Sequence, residues 1–196
     1  VVRAKNLDDV ARAKLITSSV AILGSGIKPS GNGASTGLIV GYVQSGKTLS
    51  FTTVIALARD NGFPLVIVIA GNKDNLLTQS HDRLAKDLDV DGGIGLPAWI
   101  MEKNVRVQNN QYEQLIRQTI ADWRDTSRDA DEKPTLLLTV LKQNHRLRSL
   151  TTLLNNIGMS GVPALVIDDE ADQASLNTKA NKGEESTTYT RIRELR

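Results

Sequence analysis

The chain has 196 residues, 40% of them hydrophobic and 23% charged, which excludes a collagenous or wholly disordered polymer and suffices for one domain with its own core. Its net charge of +2 is silent on nucleic acid, because a basic groove can coexist with a near-neutral total. With no cysteine and only two histidines, His81 and His145, neither at metal-ligand spacing from the other, it excludes a disulfide framework and a thiolate zinc site. No apolar run reaches the roughly 18 residues of a membrane span, and VVRAKNLDDV has no signal-peptide core, so the chain reads as soluble and cytoplasmic. It begins without methionine and stops at Arg196 with no domain-ending pattern, so we expect a piece of a longer protein.

In chain order, residues 6–23 carry early acids and apolar residues at helical spacing, which predicts a helix capped at Asn6 or Asp8. A Gly- and Ser-rich loop follows at 24–36. Continuous apolar runs at 37–40 (GLIV), 64–70 (PLVIVIA), 135–141 (TLLLTVL) and 163–167 (PALVI) read as buried parallel strands, with a weaker candidate at 105–107. Helical patterns lie between them at 47–60, 75–88, 109–125 and 145–157, the first ending before Gly62 and the last before Gly158. Strand alternating with helix predicts an α/β fold, an open parallel sheet covered on both faces. We expect residues 1–35 as an N-terminal helix and loop, and 36–196 as the main domain. The mixed charges of 122–133 read as a solvated helix end, and the polar stretch from Ser175 as a loop before a short helix after Ser186.

GYVQSGKT, residues 41–48, satisfies the phosphate-loop spacing G-x-x-x-x-G-K-[ST] between a predicted strand and a predicted helix. Such a loop wraps phosphate with backbone N–H groups. Gly46 permits close approach, Lys47 reaches the β and γ phosphates, and the Thr48 hydroxyl serves Mg2+. The nucleotide-binding set is therefore Gly41, Gln44, Ser45, Gly46, Lys47 and Thr48, with ATP and Mg2+ as the expected ligands. Gln44 stands where glycine would tolerate positive φ, so its amide can instead face the γ phosphate or a partner domain.

A phosphate loop needs carboxylates, and PALVIDDEADQAS, residues 163–175, is a strand that runs straight into acids. Asp169 is assigned to the metal and Glu170 to the base that activates water, with Asp168 a rival for the metal role.

Asp169-Glu170-Ala171-Asp172 spells DEAD, and the order of phosphate loop and then DEAD resembles the first RecA-like motor domain of superfamily 2 helicases and DNA translocases. AGNKDNLLTQ (70–79) and TVLKQNHRL (139–147) occupy the places of its motifs Ia and Ib. VGYVQSGKT with VIDDEADQAS is similar, more narrowly, to bacterial helicase-like ATPases with a Z1 domain, several of them in restriction or phage-defence systems, and that likeness accounts for Gln44. The resemblance implies an ATPase motor on double-stranded DNA, with Asn72, Lys73, Lys142 and Gln143 as backbone contacts and a second RecA-like domain as partner. It also marks departures. Residues 1–43 contain no glutamine to read adenine, no Ser-Ala-Thr motif follows DEAD, and no arginine finger is present, so the chain alone is expected to hydrolyse ATP weakly.

Two rival chemistries are weaker. GNKDN (71–75) lacks the aspartate of a guanine-reading loop, and LGSGIKPSGNG does not form a dinucleotide fingerprint after a strand. The alternative to a motor is an ATPase switch that assembles partners without moving along nucleic acid. Trp99, Trp123 and Tyr112 are expected to pack rather than stack on bases, whereas Tyr42 lies inside the loop itself.

Overall fold

The computed structural model describes residues 7–40, 47–91, 97–172 and 185–195. The first helix, α1 (Asp9–Gly24), starts where an acid can cap it: Asp8 is extended and its Oδ1 accepts from the Ala11 N–H at 2.7 Å. The helix packs on α2 (Lys47–Asp60), with Ser19 buried and donating to the Ser50 carbonyl at 3.5 Å. No helix among the described residues is long and apolar enough to cross a membrane.

After α2 the chain alternates: β1 (Leu65–Ala70), α3 (Asp74–Leu88), β2 (Trp99–Lys103), α4 (Asn110–Arg124), β3 (Thr135–Leu141), α5 (Asn144–Ile157), β4 (Ala164–Asp168) and α6 (Thr187–Glu194). All four strands are parallel, in the order β2-β3-β1-β4. Gly62 and Gly158 take positive φ, 87° and 78°, and end α2 and α5 as the sequence predicts. Ser186 caps α6, its Oγ accepting from the Tyr189 N–H at 3.4 Å.

Every residue of β1 and β3 is buried, which is why LVIVIA and TLLLTVL are apolar without alternation. Leu65, Ile67, Ile69, Leu136, Leu138 and Val140 face α4, α5 and α6, meeting Ile116, Leu150 and Ile192. Val66, Val68 and Leu137 face α2 and α3, meeting Ile55 and Leu84. Trp99 lies in this second core, and the Trp123 indole donates to the Pro134 carbonyl at 2.8 Å, so both indoles pack as expected.

Two strand expectations need correction. Residues 105–107 are not a strand; β2 is Trp99–Lys103, an edge strand in which only Trp99 is fully buried, so no continuous apolar run announces it. Asn104, at φ 46°, turns the chain out of the sheet, and Val105 enters the core from that turn at 2% exposure. Residues 37–40 form no strand, and Leu38, Ile39 and Val40 stand 81%, 56% and 85% exposed. Both edges of β1 are taken by β3 and β4, and the far edge of β4 has no strand partner among the described residues. An apolar run shows that a segment can be buried; it does not supply the strand it pairs with.

The central strand carries the stability. Ile67→Ala is expected to cost about 2–5 kcal/mol, and removal of the α1 cap by Asp8→Ala about 0.5–2 kcal/mol. Urea unfolding midpoints of the two variants check this order, and a larger loss at Asp8 would contradict the two-face core.

Candidate functional site

The strand register brings three loops to one level at the carboxyl edge of the sheet. Ile69 stands beside both Val140 and Asp168, and Ala70 beside Leu141, so β1, β3 and β4 end together. The chain leaves β1 toward α3 on one face and β3 toward α5 on the other, opening the kind of crevice in which α/β sheets bind ligands. The Lys142 N–H donates to the Gly71 carbonyl at 3.2 Å, and Gln143 Nε2 to the Asn72 carbonyl at 3.0 Å, tying the first two loops together.

The acidic turn follows β4. The Asp169 N–H donates to the Ile69 carbonyl at 3.0 Å, extending the ladder by one bond. Glu170 then adopts φ 54°, a left-handed conformation that costs a non-glycine residue roughly 1–2 kcal/mol. Gly71 makes room for the start of α3. A Cβ built there would lie 2.7 Å from Leu76 Cδ1, too close to fit, while Glu170 Oε2 at 3.6 Å would be in ordinary contact, so the acidic turn lies beside this bare backbone.

Lys142 does not face outward as a nucleic-acid contact, and this expectation is corrected. The residue is 3% exposed; its Nζ stands 2.8 Å from Asp168 Oδ1 and donates to the Asp169 and Glu170 carbonyls at 2.7 and 2.8 Å. The contact to Asp168 lies off the hydrogen-bonding axis and acts as an ion pair. Asn72 and Lys73 are exposed on the outer face of the loop, and Gln143 is half-buried.

Of the phosphate-loop set, Gly41, Gln44, Ser45 and Gly46 lie outside the described residues, as does Tyr42. Lys47 opens α2, and Thr48 sits half-buried in its first turn, accepting from Arg83 Nη1 at 3.0 Å. α2 packs against β4, the strand that ends in the acids. The polar segment that begins at Ser175 lies outside the described residues up to residue 184. No group of three or more His, Asp or Glu among the described residues is arranged to hold a metal ion by itself. A nucleotide-bound Mg2+ needs fewer protein ligands, one or two hard oxygens beside the phosphates, and the hydroxyl and carboxylates here are of that kind.

Beside the crevice lies a feature that sequence reading missed. An open cavity of about 570 Å³ is lined by Lys103, Arg106 and Arg146, by the amides of Asn104 and Gln108, and by Tyr112, with Asp74 as its carboxylate. None of the three cations forms an ion pair with a described carboxylate, and Arg146 Nε is buried without a hydrogen-bond partner. The amino ends of α3, α4 and α5 open toward this edge and add to its positive potential. Tyr112 is half-buried against the core, so its ring is a packing element at the cavity wall.

His81 reports the local field. Its Nδ1 lies 2.9 Å from Thr139 Oγ1; that hydroxyl donates to the Glu102 carbonyl at 3.4 Å, so the imidazole N–H is the donor. Burial, and then the Lys103 charge, hold its pKa below the ordinary 6.5 against a smaller upward pull from Asp82.

Comparison with protein-family models, with curated proteins and with solved structures gives no match to this chain. The functional reading therefore stands on the motifs and the geometry.

A lowered histidine pKa makes acid destabilising. As pH falls through 6.5, the unfolded His81 takes up a proton that the folded one refuses until lower pH, so the native state loses stability in that window. Between pH 7 and pH 5 the wild-type chain should therefore lose more stability than His81→Gln. Equal losses in parallel urea titrations would show that the imidazole stays as solvated as a free one.

Proposed function

We propose that the chain is the nucleotide-binding domain of an ATP-driven motor of the superfamily 2 helicase and DNA translocase type, acting on nucleic acid. The observation that carries this reading is one of placement. GYVQSGK runs directly into α2 with Thr48 in its first turn, and α2 packs against the strand that ends in Asp168-Asp169-Glu170. The helix that follows the phosphate-loop sequence thereby packs on the strand that ends in the acids, which supports a RecA-like reading.

In this reading the backbone of residues 41–46, Lys47 and the amino end of α2 cradle the phosphates of ATP. Thr48 and Asp169 hold Mg2+, which when bound would neutralise charge on the phosphate oxygens. Glu170, whose carboxylate lies exposed beside Gly71, takes the proton of the water that attacks the γ phosphate. Arg83, beside Thr48, adds a cation to the same region.

The unpaired cations of the cavity support nucleic acid as the partner over an assembly switch. Lys103, Arg106 and Arg146 line one cavity whose charge backbone phosphates would neutralise, with Lys73 exposed on the loop before α3. The similarity of VGYVQSGKT and VIDDEADQAS to Z1-domain ATPases favours double-stranded DNA and a restriction or phage-defence setting. A second RecA-like domain would supply an arginine finger, worth about 10³-fold or more in rate.

Two measurements test the reading. Lys47→Ala should lower ATP turnover by about 10²-fold or more, and full activity in that variant would overturn the nucleotide site. Arg106→Ala and Arg146→Ala should each weaken DNA binding and reduce the slope of log affinity against log salt by about 1. An unchanged slope, or hydrolysis that no nucleic acid stimulates, would favour the switch.

A further inference from the structure

We propose that Lys142 is a positioning residue that sets the acidic turn in its working geometry and holds Asp168 as its internal counter-ion rather than as a magnesium ligand. The inference rests on the nucleotide reading above and deepens the same site.

The geometry is specific to an ammonium. The Lys142 side chain is 1% exposed, and its Nζ meets three oxygens of one turn: Asp168 Oδ1 at 2.8 Å, the Asp169 carbonyl at 2.7 Å and the Glu170 carbonyl at 2.8 Å. Two of its three N–H groups go to the carbonyls and its charge faces Asp168, so at 1% exposure the ammonium is not presented to an outside phosphate. Two successive carbonyls aimed at one cation bend the chain sharply, and Glu170 takes up that bend at φ 54°. Lys142 itself is fixed from behind, because its backbone N–H donates to the Gly71 carbonyl at 3.2 Å. The cation is thus anchored to the β1 loop while it grips the β4 loop, and Gly71 is also the residue beside which the Glu170 carboxylate lies.

A carboxylate already paired with a buried cation is a poor ligand for a second one, since Mg2+ would have to break the ion pair and leave the ammonium uncompensated. Asp168, 20% exposed at the side chain, is in that position. Asp169 and Glu170 follow it with their carbonyls held by Lys142, so the cation governs where both side chains start.

The test uses the full chain, in which Lys142→Met keeps the stem and removes the charge. Turnover of ATP should fall about 10²-fold, the scale of a misplaced catalytic group. ATP affinity without Mg2+ should stay within about threefold, a split that simple unfolding does not produce. Hydrogen exchange over residues 168–172 in the nucleotide-free chain should accelerate about tenfold. Because the chain has no cysteine, Lys142→Cys can be alkylated with 2-bromoethylamine in denaturant and refolded, restoring an ammonium of the same reach, and turnover should recover. If Lys142→Met does not fold, Asp168→Asn and Asp169→Asn decide. The first should leave most of the Mg2+ dependence of turnover and the second should abolish it.

Turnover and exchange unchanged in Lys142→Met, or an Asp168→Asn that loses its Mg2+ dependence while Asp169→Asn keeps it, overturns the proposal. With Lys47→Ala still inactive, either result leaves the nucleotide site standing. A wild-type chain that binds no ATP overturns both.

Discussion

β1 and β3 are buried along their whole length on both faces, and the rest of the molecule is organised by that constraint. Backbone groups inside such strands are satisfied only by neighbouring strands, so polar chemistry is driven to the strand ends. The register makes β1, β3 and β4 end at one level, and the three loops that leave there must share a small volume. Gly71, Lys142 and Glu170 meet as a consequence of strand length as much as of their own side chains.

The crowding has an electrostatic result. A lysine buried at 3% exposure is costly unless its charge and all its donors are matched, and here one carboxylate and two carbonyls of the acidic turn match it. The turn in turn holds a left-handed residue that would otherwise relax. Each partner stabilises a feature of the other that is unfavourable alone. Lys103, Arg106 and Arg146, at the neighbouring cavity, have no such partner among the described residues, and that difference separates an internal cation from cations set to meet an outside anion.

What could be read from the sequence follows the range of the interactions involved. Helix bounds are local: the Asp8 cap, the Ser186 cap and the stops at Gly62 and Gly158 lie within a residue or two of their sequence signals. β1 and β3 are legible because continuous apolar runs need burial on two faces, and β4 carries such a run although its residues are only half-buried or exposed at the edge. β2 is not, because WIMEK is an edge strand with one fully buried side chain. Residues 37–40 have the apolar signature without a described partner strand, so composition alone placed them in the sheet. The cationic cavity draws on residues from three separate segments, 74–78, 103–112 and 146, and a net charge of +2 hides it.

Lys142 shows most plainly why the candidate site was only half legible. In TVLKQNHRL it is one polar residue just past a strand, and polar residues past strands are usually solvated, so an outward role was the natural reading. Its true environment is set by two facts that are remote in sequence: β3 lies two strands from β4 in the sheet order, and β1 between them ends at Ala70, level with the last residue of β3. The Lys142 stem spans that gap above the end of β1 and reaches the acidic turn at 2.7–2.8 Å. The acidic motif and the lysine that holds it are therefore legible separately, and only the sheet order joins them.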